Sequence, residues 1–283
     1  MRTPSLPITL LLLTFAAPGW AFDIVLDPPS PVPGEILRVE VRGLDNPARI
    51  ECLFKEESYP FFPVSPGRMR AMIGLTARQK PGDYVLKAIH RRFLLPDVIT
   101  NVGVTISPRE FTHQQITMPA KKTALAARPG AKAGTQNIRG ALGGLSKTQK
   151  WNGPFVRPTQ GRRTSKYGHT RTINKKMSWG WHRGIDVAAA SGADVLAPAG
   201  GTVVLTGVFP IQGGTMILDH GQGLMSTFYH LHSFNAQTGD VVAAGTRIAN
   251  VGGGGFSTGS HLHWGTFLHN RAVDPEMLLK RKL

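Results

Sequence analysis

What most constrains the fold is a repeating texture of short β-type runs broken by turn residues. Between residues 22 and 107 the runs read FDIVLD, ILRVEVRG, ARIECLF, RMRAMIGL, DYVLKAIH and ITNVGVTI. They are β-branched or alternate apolar with polar residues, the period-two signature of half-buried strands, and Pro33-Gly34 and Pro81-Gly82 mark turns ahead of two of them. Six or seven strands in about 85 residues imply a small antiparallel β-sandwich. From Trp151 the texture returns as GTVVLTGVF, GTMILDHG, MSTFYHLH, TRIANVGG and HLHWGTFL, split by glycine-rich turns with no convincing helix between them. The expected fold class is therefore all-β, with an accessory sandwich at 22–107 and a second antiparallel β domain at 151–283.

Between these units, residues 108–150 (for example PAKKTALAARPGAKAGTQNIRG) offer little apolar surface to bury, which predicts a basic, flexible linker. Charge follows the same division. The chain carries a net +16, and the 15 Lys and Arg against one acidic residue in 108–181 account for +14 of it. That segment should attract anionic wall polymers or lipopolysaccharide. Nucleic acid is a poor partner, because no recognition motif or interleaving of basic and aromatic residues is present.

Arg2, the apolar stretch ITLLLLTFAA and the small residues around Gly19-Trp20-Ala21 form the three parts of a secretory signal peptide, residues 1–21. The stretch is well short of the roughly 20 apolar residues of a spanning helix, so no transmembrane anchor is expected. Export is expected, with the periplasm favoured over secretion or attachment to the wall. Cys52, the only cysteine, excludes a disulfide framework and cysteine zinc sites, and in its strand-like setting reads as a small buried hydrophobe.

Seven of the ten histidines fall in residues 182–283. His182 precedes Asp186 by four residues, and His261 and His263 flank a single leucine in a strand-like run. Residues two apart on a strand face the same side, so this late pair should point into one cleft. Together these residues are the materials of a catalytic zinc site, in which three protein ligands leave a fourth position open.

The stretches HRGIDVAAASGADVLAPAGGTVV, MILDHGQGLMSTFYHL, GTRIANVGGGGFSTGSHLHWG and NRAVDPEMLL resemble, in order and spacing, the lysostaphin-type zinc metallo-endopeptidases, metallopeptidase family twenty-three. The similarity covers about residues 155–280, including the upstream PTQGRRTSKYGHTR. It implies the duplicated hybrid motif fold, a Zn2+ cofactor and hydrolysis of peptide bonds in peptidoglycan stems or cross-links. By the same resemblance the zinc ligands fall on His182, Asp186 and His263, and the catalytic histidines on His230 and His261. Zinc would polarise the scissile carbonyl and make its water reactive near neutral pH, while the two imidazoles move protons or stabilise the oxyanion. Which imidazole is the base stays open.

His232 reads as a bystander and His220 as structural. Trp179, Trp181 and Trp264 could wall the groove, with core packing favoured for the first two. The glycine run 252–255 could admit a peptide backbone closely. The alternative is a non-catalytic relative that binds wall or activates an amidase, disfavoured because such relatives lack zinc ligands that are all present here. A polyanion-binding protein with a structural zinc is a further reading, which two spare histidines oppose.

Overall fold

The computed structural model of the protein describes residues 22–44, 46–281 and 283. Residues 1–21, read as a signal peptide, lie outside the described residues, and nothing is described of the Trp179 side chain. Among the described residues no helix is long and apolar enough to cross a membrane.

The N-terminal unit is a sandwich of two four-stranded antiparallel sheets, as the run pattern implied. One sheet orders Asp23–Asp27, Ile36–Arg42, Arg68–Gly74 and Phe62–Ser65; the other orders Glu57–Pro60, Ile50–Phe54, Gly82–His90 and Val98–Ile106. Two of these strands, Glu57–Pro60 and Phe62–Ser65, are four residues long and include prolines, which hid them from the pattern. Cys52 is fully buried between the sheets, and burial raises its thiol to about 12. Alternation sends Leu37, Val39, Met69, Ala71 and Ile73 into the sandwich core.

The opposite face of Arg68–Gly74 is buried too, because it lies against the C-terminal unit. Met72 joins that unit's core, and Arg70 donates to the side-chain oxygens of Gln149 (2.9 Å) and Gln222 (2.6 Å) while stacking over Trp151. Tyr167 clips the same junction, accepting from the Ala77 amide (2.9 Å) and donating to the Ala272 carbonyl (2.8 Å).

The C-terminal unit is built on a larger antiparallel sheet. Its strands run in the order Arg162–Ser165, Gly184–Ala188, His261–Leu268, Leu224–Phe234, Gly213–Gly221, Gly201–Phe209 and Val241–Val242. Phe228 and Trp264, opposite one another on neighbouring strands, are fully buried, each worth about 2–3 kcal/mol of apolar transfer. Trp264 is therefore core, contrary to its expected place in a groove wall. Trp181 takes the wall position instead and packs edge-on to Phe111.

Residues 108–150 differ from the expected flexible linker. His113–Ile116 pairs in parallel with Thr170–Ile173, and the 12-residue helix Ala131–Leu142 lays Ile138 and Leu142 against Ile217, Met225 and Phe267. Gly134 lets the helix sit directly on Phe209, whose ring would lie 2.7 Å from any added Cβ. Lys122 donates to the carbonyls of Gly253 and Gly255, both at 3.0 Å. The segment is poor in apolar residues because one narrow stripe suffices for a helix that borrows its core from the sheet beneath.

His220 shows why one histidine of this domain is structural. Its Nδ1–H donates to the Gly200 carbonyl (2.8 Å), so Nε2 carries the lone pair and accepts from the Ser226 hydroxyl (2.9 Å), itself approached by Trp264 Nε1–H (3.3 Å). Burial, which penalises a second ring proton, lowers the imidazole to about 4. The folded state binds this proton less readily than the unfolded chain, so its contribution is whole above pH 6.5 and is lost as pH falls through 4. The loss reaches on the order of 3 kcal/mol. In urea titrations at pH 7.5 and 4.5, His220→Gln should be less stable at the higher pH and change less between the two; an unchanged pH difference would exclude the assignment.

Candidate active site

Three side chains converge at one end of the large sheet. Asp186 and His263 are direct cross-strand partners on Gly184–Ala188 and His261–Leu268. Those strands lie unusually close where Gly184 faces Gly265, since a Cβ on Gly184 would stand 2.3 Å from the Trp264 carbonyl oxygen. His182 enters from the segment just before the first strand. His182 Nε2 lies 3.0 Å from both Asp186 Oδ1 and His263 Nδ1, and His263 Nδ1 lies 2.8 Å from Asp186 Oδ1. All three residues are buried.

The donor set itself tests whether a metal fits. His182 Nδ1–H donates to the Lys166 carbonyl (2.8 Å), leaving Nε2 as a bare lone pair. That lone pair and the Asp186 carboxylate oxygen thus face one another as two acceptors, and only His263 could supply a proton between them. A cation at the centre satisfies all three atoms at once. Their spacing is a few tenths of an ångström tighter than the roughly 3.3 Å edge of a tetrahedron with 2.0–2.1 Å bonds. Two nitrogens and one oxygen, with no thiolate, suit a divalent borderline ion.

Surrounding contacts fix these three side chains. The Asp186 Oδ2 atom accepts from Arg171 Nη2 at 2.8 Å, which leaves Oδ1 for the centre. Burial alone would raise the Asp186 carboxyl, but His182, His263 and their hydrogen bonds hold it well below the usual range. Tyr229 stacks flat on His263, with ring centroids 5.1 Å apart and planes 4° from parallel. Arg171 was missed in the sequence, where it is one cation in a basic stretch. The Lys166 contact uses a backbone carbonyl, which no side-chain pattern could reveal.

His230 and His261 stand beside the cluster, their ring centroids 4.7 Å apart. His261 reaches the site by plain strand alternation with His263. His230 gets there differently. Its φ of +64° and the register shifts in Leu224–Phe234 break the alternation, so adjacent Tyr229 and His230 both approach His263. Left-handed backbone at a histidine costs of order 1–3 kcal/mol and is kept where geometry demands it. His232, beyond the bulge, is exposed. Gly252 closes over this corner, with space for a Cβ denied by the His230 carbonyl and His232 amide, each 2.7 Å away.

Both flanking imidazoles are oriented by carbonyls. His230 Nδ1–H donates to Gly254 (2.8 Å) and His261 Nδ1–H to Gly259 (2.9 Å), so each neutral ring keeps its lone pair on Nε2. His261 Nε2 faces the centre, 3.9 Å from Asp186 Oδ1. Burial, reinforced by His261 and His263, lowers His230 to about 3. Over the cluster opens a cavity of about 680 Å³, lined by His182, His230 and His263 and roofed partly by helix Ala131–Leu142 and by residues 76–78 of the sandwich.

Known proteins resemble this part of the chain in sequence. Residues 180–275, which hold all five of these site residues, match Peptidase family M23. An uncharacterised metalloprotease of Buchnera aphidicola subspecies Baizongia pistaciae is 34% identical over 132 residues, 46% of this chain and 34% of the relative. The DD-carboxypeptidase/endopeptidase Mpg of Neisseria meningitidis serogroup B is 35% identical over 98 residues, 35% of this chain and 23% of that protein. The chain thus spans about a third or less of the length of these curated relatives. A solved structure from Pseudomonas aeruginosa, described as a peptidase M23, superposes with a TM-score of 0.65 at 24% identity, over 88% of this chain and 95% of that one. At that identity the likeness bears on the fold alone, and it reaches into the N-terminal sandwich. Residues 180–275 thus form a peptidase family M23 domain.

Proposed function

We propose that the protein is a zinc-dependent endopeptidase that hydrolyses peptide bonds in peptidoglycan stems or cross-links outside the cytoplasm. The observation that carries this reading is the convergence of His182 Nε2, Asp186 Oδ1 and His263 Nδ1 beside two further imidazoles, His230 and His261, whose ring centroids lie 4.7 Å apart. The DD-carboxypeptidase/endopeptidase activity of the meningococcal relative supports peptide-bond hydrolysis, and the signal-peptide pattern supports the compartment.

Bound zinc supplies a Lewis acid for the scissile carbonyl and a water made reactive near neutral pH. The rest is done by the chain's own residues. His182, Asp186 and His263 hold the metal, Lys166 and Arg171 aim two of these ligands, and Tyr229 braces the third. His261, partly exposed with Nε2 facing the centre, is placed to take the proton of the attacking water and return one to the leaving amine. His230, whose burial opposes protonation, is suited to remain neutral and orient a polar group through Nε2.

Mass spectrometry of muropeptides from isolated sacculi tests the reading. Cross-linked dimers should disappear on incubation with the protein, and a zinc chelator should slow this by ~100-fold or more, as expected when the Lewis acid is removed. The fragments name the bond. Unchanged muropeptides with metal-loaded protein would turn the assignment toward a non-catalytic wall-binding role.

A further inference from the structure

The cavity over the metal centre is walled by arginines from every part of the chain. Arg78 comes from the sandwich, Arg139 from helix Ala131–Leu142, Arg171 and Arg183 from either side of His182, and Arg271 from the C-terminal hairpin. No aspartate or glutamate is among the residues lining it. Arg171 is engaged by Asp186 and Arg271 by Glu57. Arg139 and Arg183 are exposed and form no ion pair among the described residues. The charge of the middle segment, expected on a solvated tether, is thus partly delivered to the cleft by the helix that carries Arg139.

Like charges gathered round one cavity repel, so the arrangement adds nothing to folding until an anion enters. Guanidinium matches carboxylate with two parallel N–H···O bonds, which fixes orientation as well as charge. At about 680 Å³ the space suits a short peptide rather than a lone ion.

We propose that this cavity is a carboxylate-reading subsite: Arg139 and Arg183 hold a free carboxylate of the substrate peptide beside the bond presented to the metal centre, so that anionic peptides are selected over neutral ones. The inference rests on the endopeptidase reading of the same site. The carboxylate could be the peptide's terminus or a side chain, and the two share one chemistry.

The test uses one peptide in three forms: unmodified, amidated only at the C-terminus, and amidated only at the side-chain carboxylate. Binding is measured by calorimetry on zinc-loaded His261→Ala protein, in which bound peptide should survive, and hydrolysis on the unaltered full chain. One of the two amidations should weaken binding and lower kcat/KM by ~10-fold or more, and which one identifies the carboxylate. Arg139→Gln and Arg183→Gln should each lower kcat/KM for the unmodified peptide by ~10-fold, mainly through KM, and leave the amidated peptide within about twofold. Arg183 adjoins a metal ligand, so its variant is checked for zinc content; Arg139 lies on an exposed helix face and supplies the second, independent variant. Equal binding of all three peptides would overturn the proposal, as would an Arg139→Gln loss that is the same for charged and amidated peptides. A binding preference without hydrolysis would uphold the subsite and overturn the endopeptidase reading instead.

Discussion

Changing His263 to alanine is expected to remove metal and hydrolysis together. Its Nδ1 is one corner of the proposed ligand triangle, 2.8 Å from Asp186 Oδ1 and 3.0 Å from His182 Nε2. Without it two donors remain, on one side of a cavity open to solvent. Losing the Lewis acid and its activated water should lower turnover by ~10,000-fold or more, several kcal/mol of transition-state stabilisation. The fold should persist, because the same strand keeps Leu262, Trp264 and Leu268 fully buried and Asp186 keeps His182 and Arg171 as partners. Metal analysis and turnover on the purified variant decide the matter, with His232→Ala as control. His232 is exposed beyond the bulge, so its variant should keep both properties. A His263→Ala protein with stoichiometric, tightly held metal would break the ligand assignment, and so would a His232→Ala protein that loses it.

The two halves of this site were not equally readable in the sequence. The strand His261–Leu268 appears letter for letter as the run HLHWGTFL, and period two puts His261 and His263 on one face without any structure. The same rule misleads at His230 and His232, which alternation would also put together. Only a positive φ at His230, invisible in residue types, divides them, so the resemblance to a family rather than periodicity supplied His230. Arg171 and the Lys166 carbonyl were beyond reach because each acts through another residue's orientation. The linker failed for a related reason. Helix Ala131–Leu142 carries two glycines and few apolar residues, and by composition alone would not hold as a helix; its stability comes from Phe209, Ile217, Met225 and Phe267, far away in sequence. Two-period strands announce themselves locally, whereas a helix docked on someone else's core does not.

Unlike His263→Ala, His261→Ala is expected to separate the two properties, keeping metal while losing turnover. His261 Nε2 lies 3.9 Å from Asp186 Oδ1, beyond hydrogen-bond reach. The ligand triangle should therefore close without it. What disappears is a lone pair held toward the centre by the bond from Nδ1 to the Gly259 carbonyl, with Ser257 Oγ a further 3.3 Å neighbour of the same nitrogen. A positioned proton acceptor is worth about 100- to 10,000-fold. The loss should fall on kcat, because substrate and metal can still bind while the water keeps its proton in the attack. Metal stoichiometry near that of the unaltered protein, with kcat lowered by that factor and KM little changed, is the expected result. Metal lost in proportion to activity would instead make His261 part of the metal's hold, and would shift the proton-transfer role to His230.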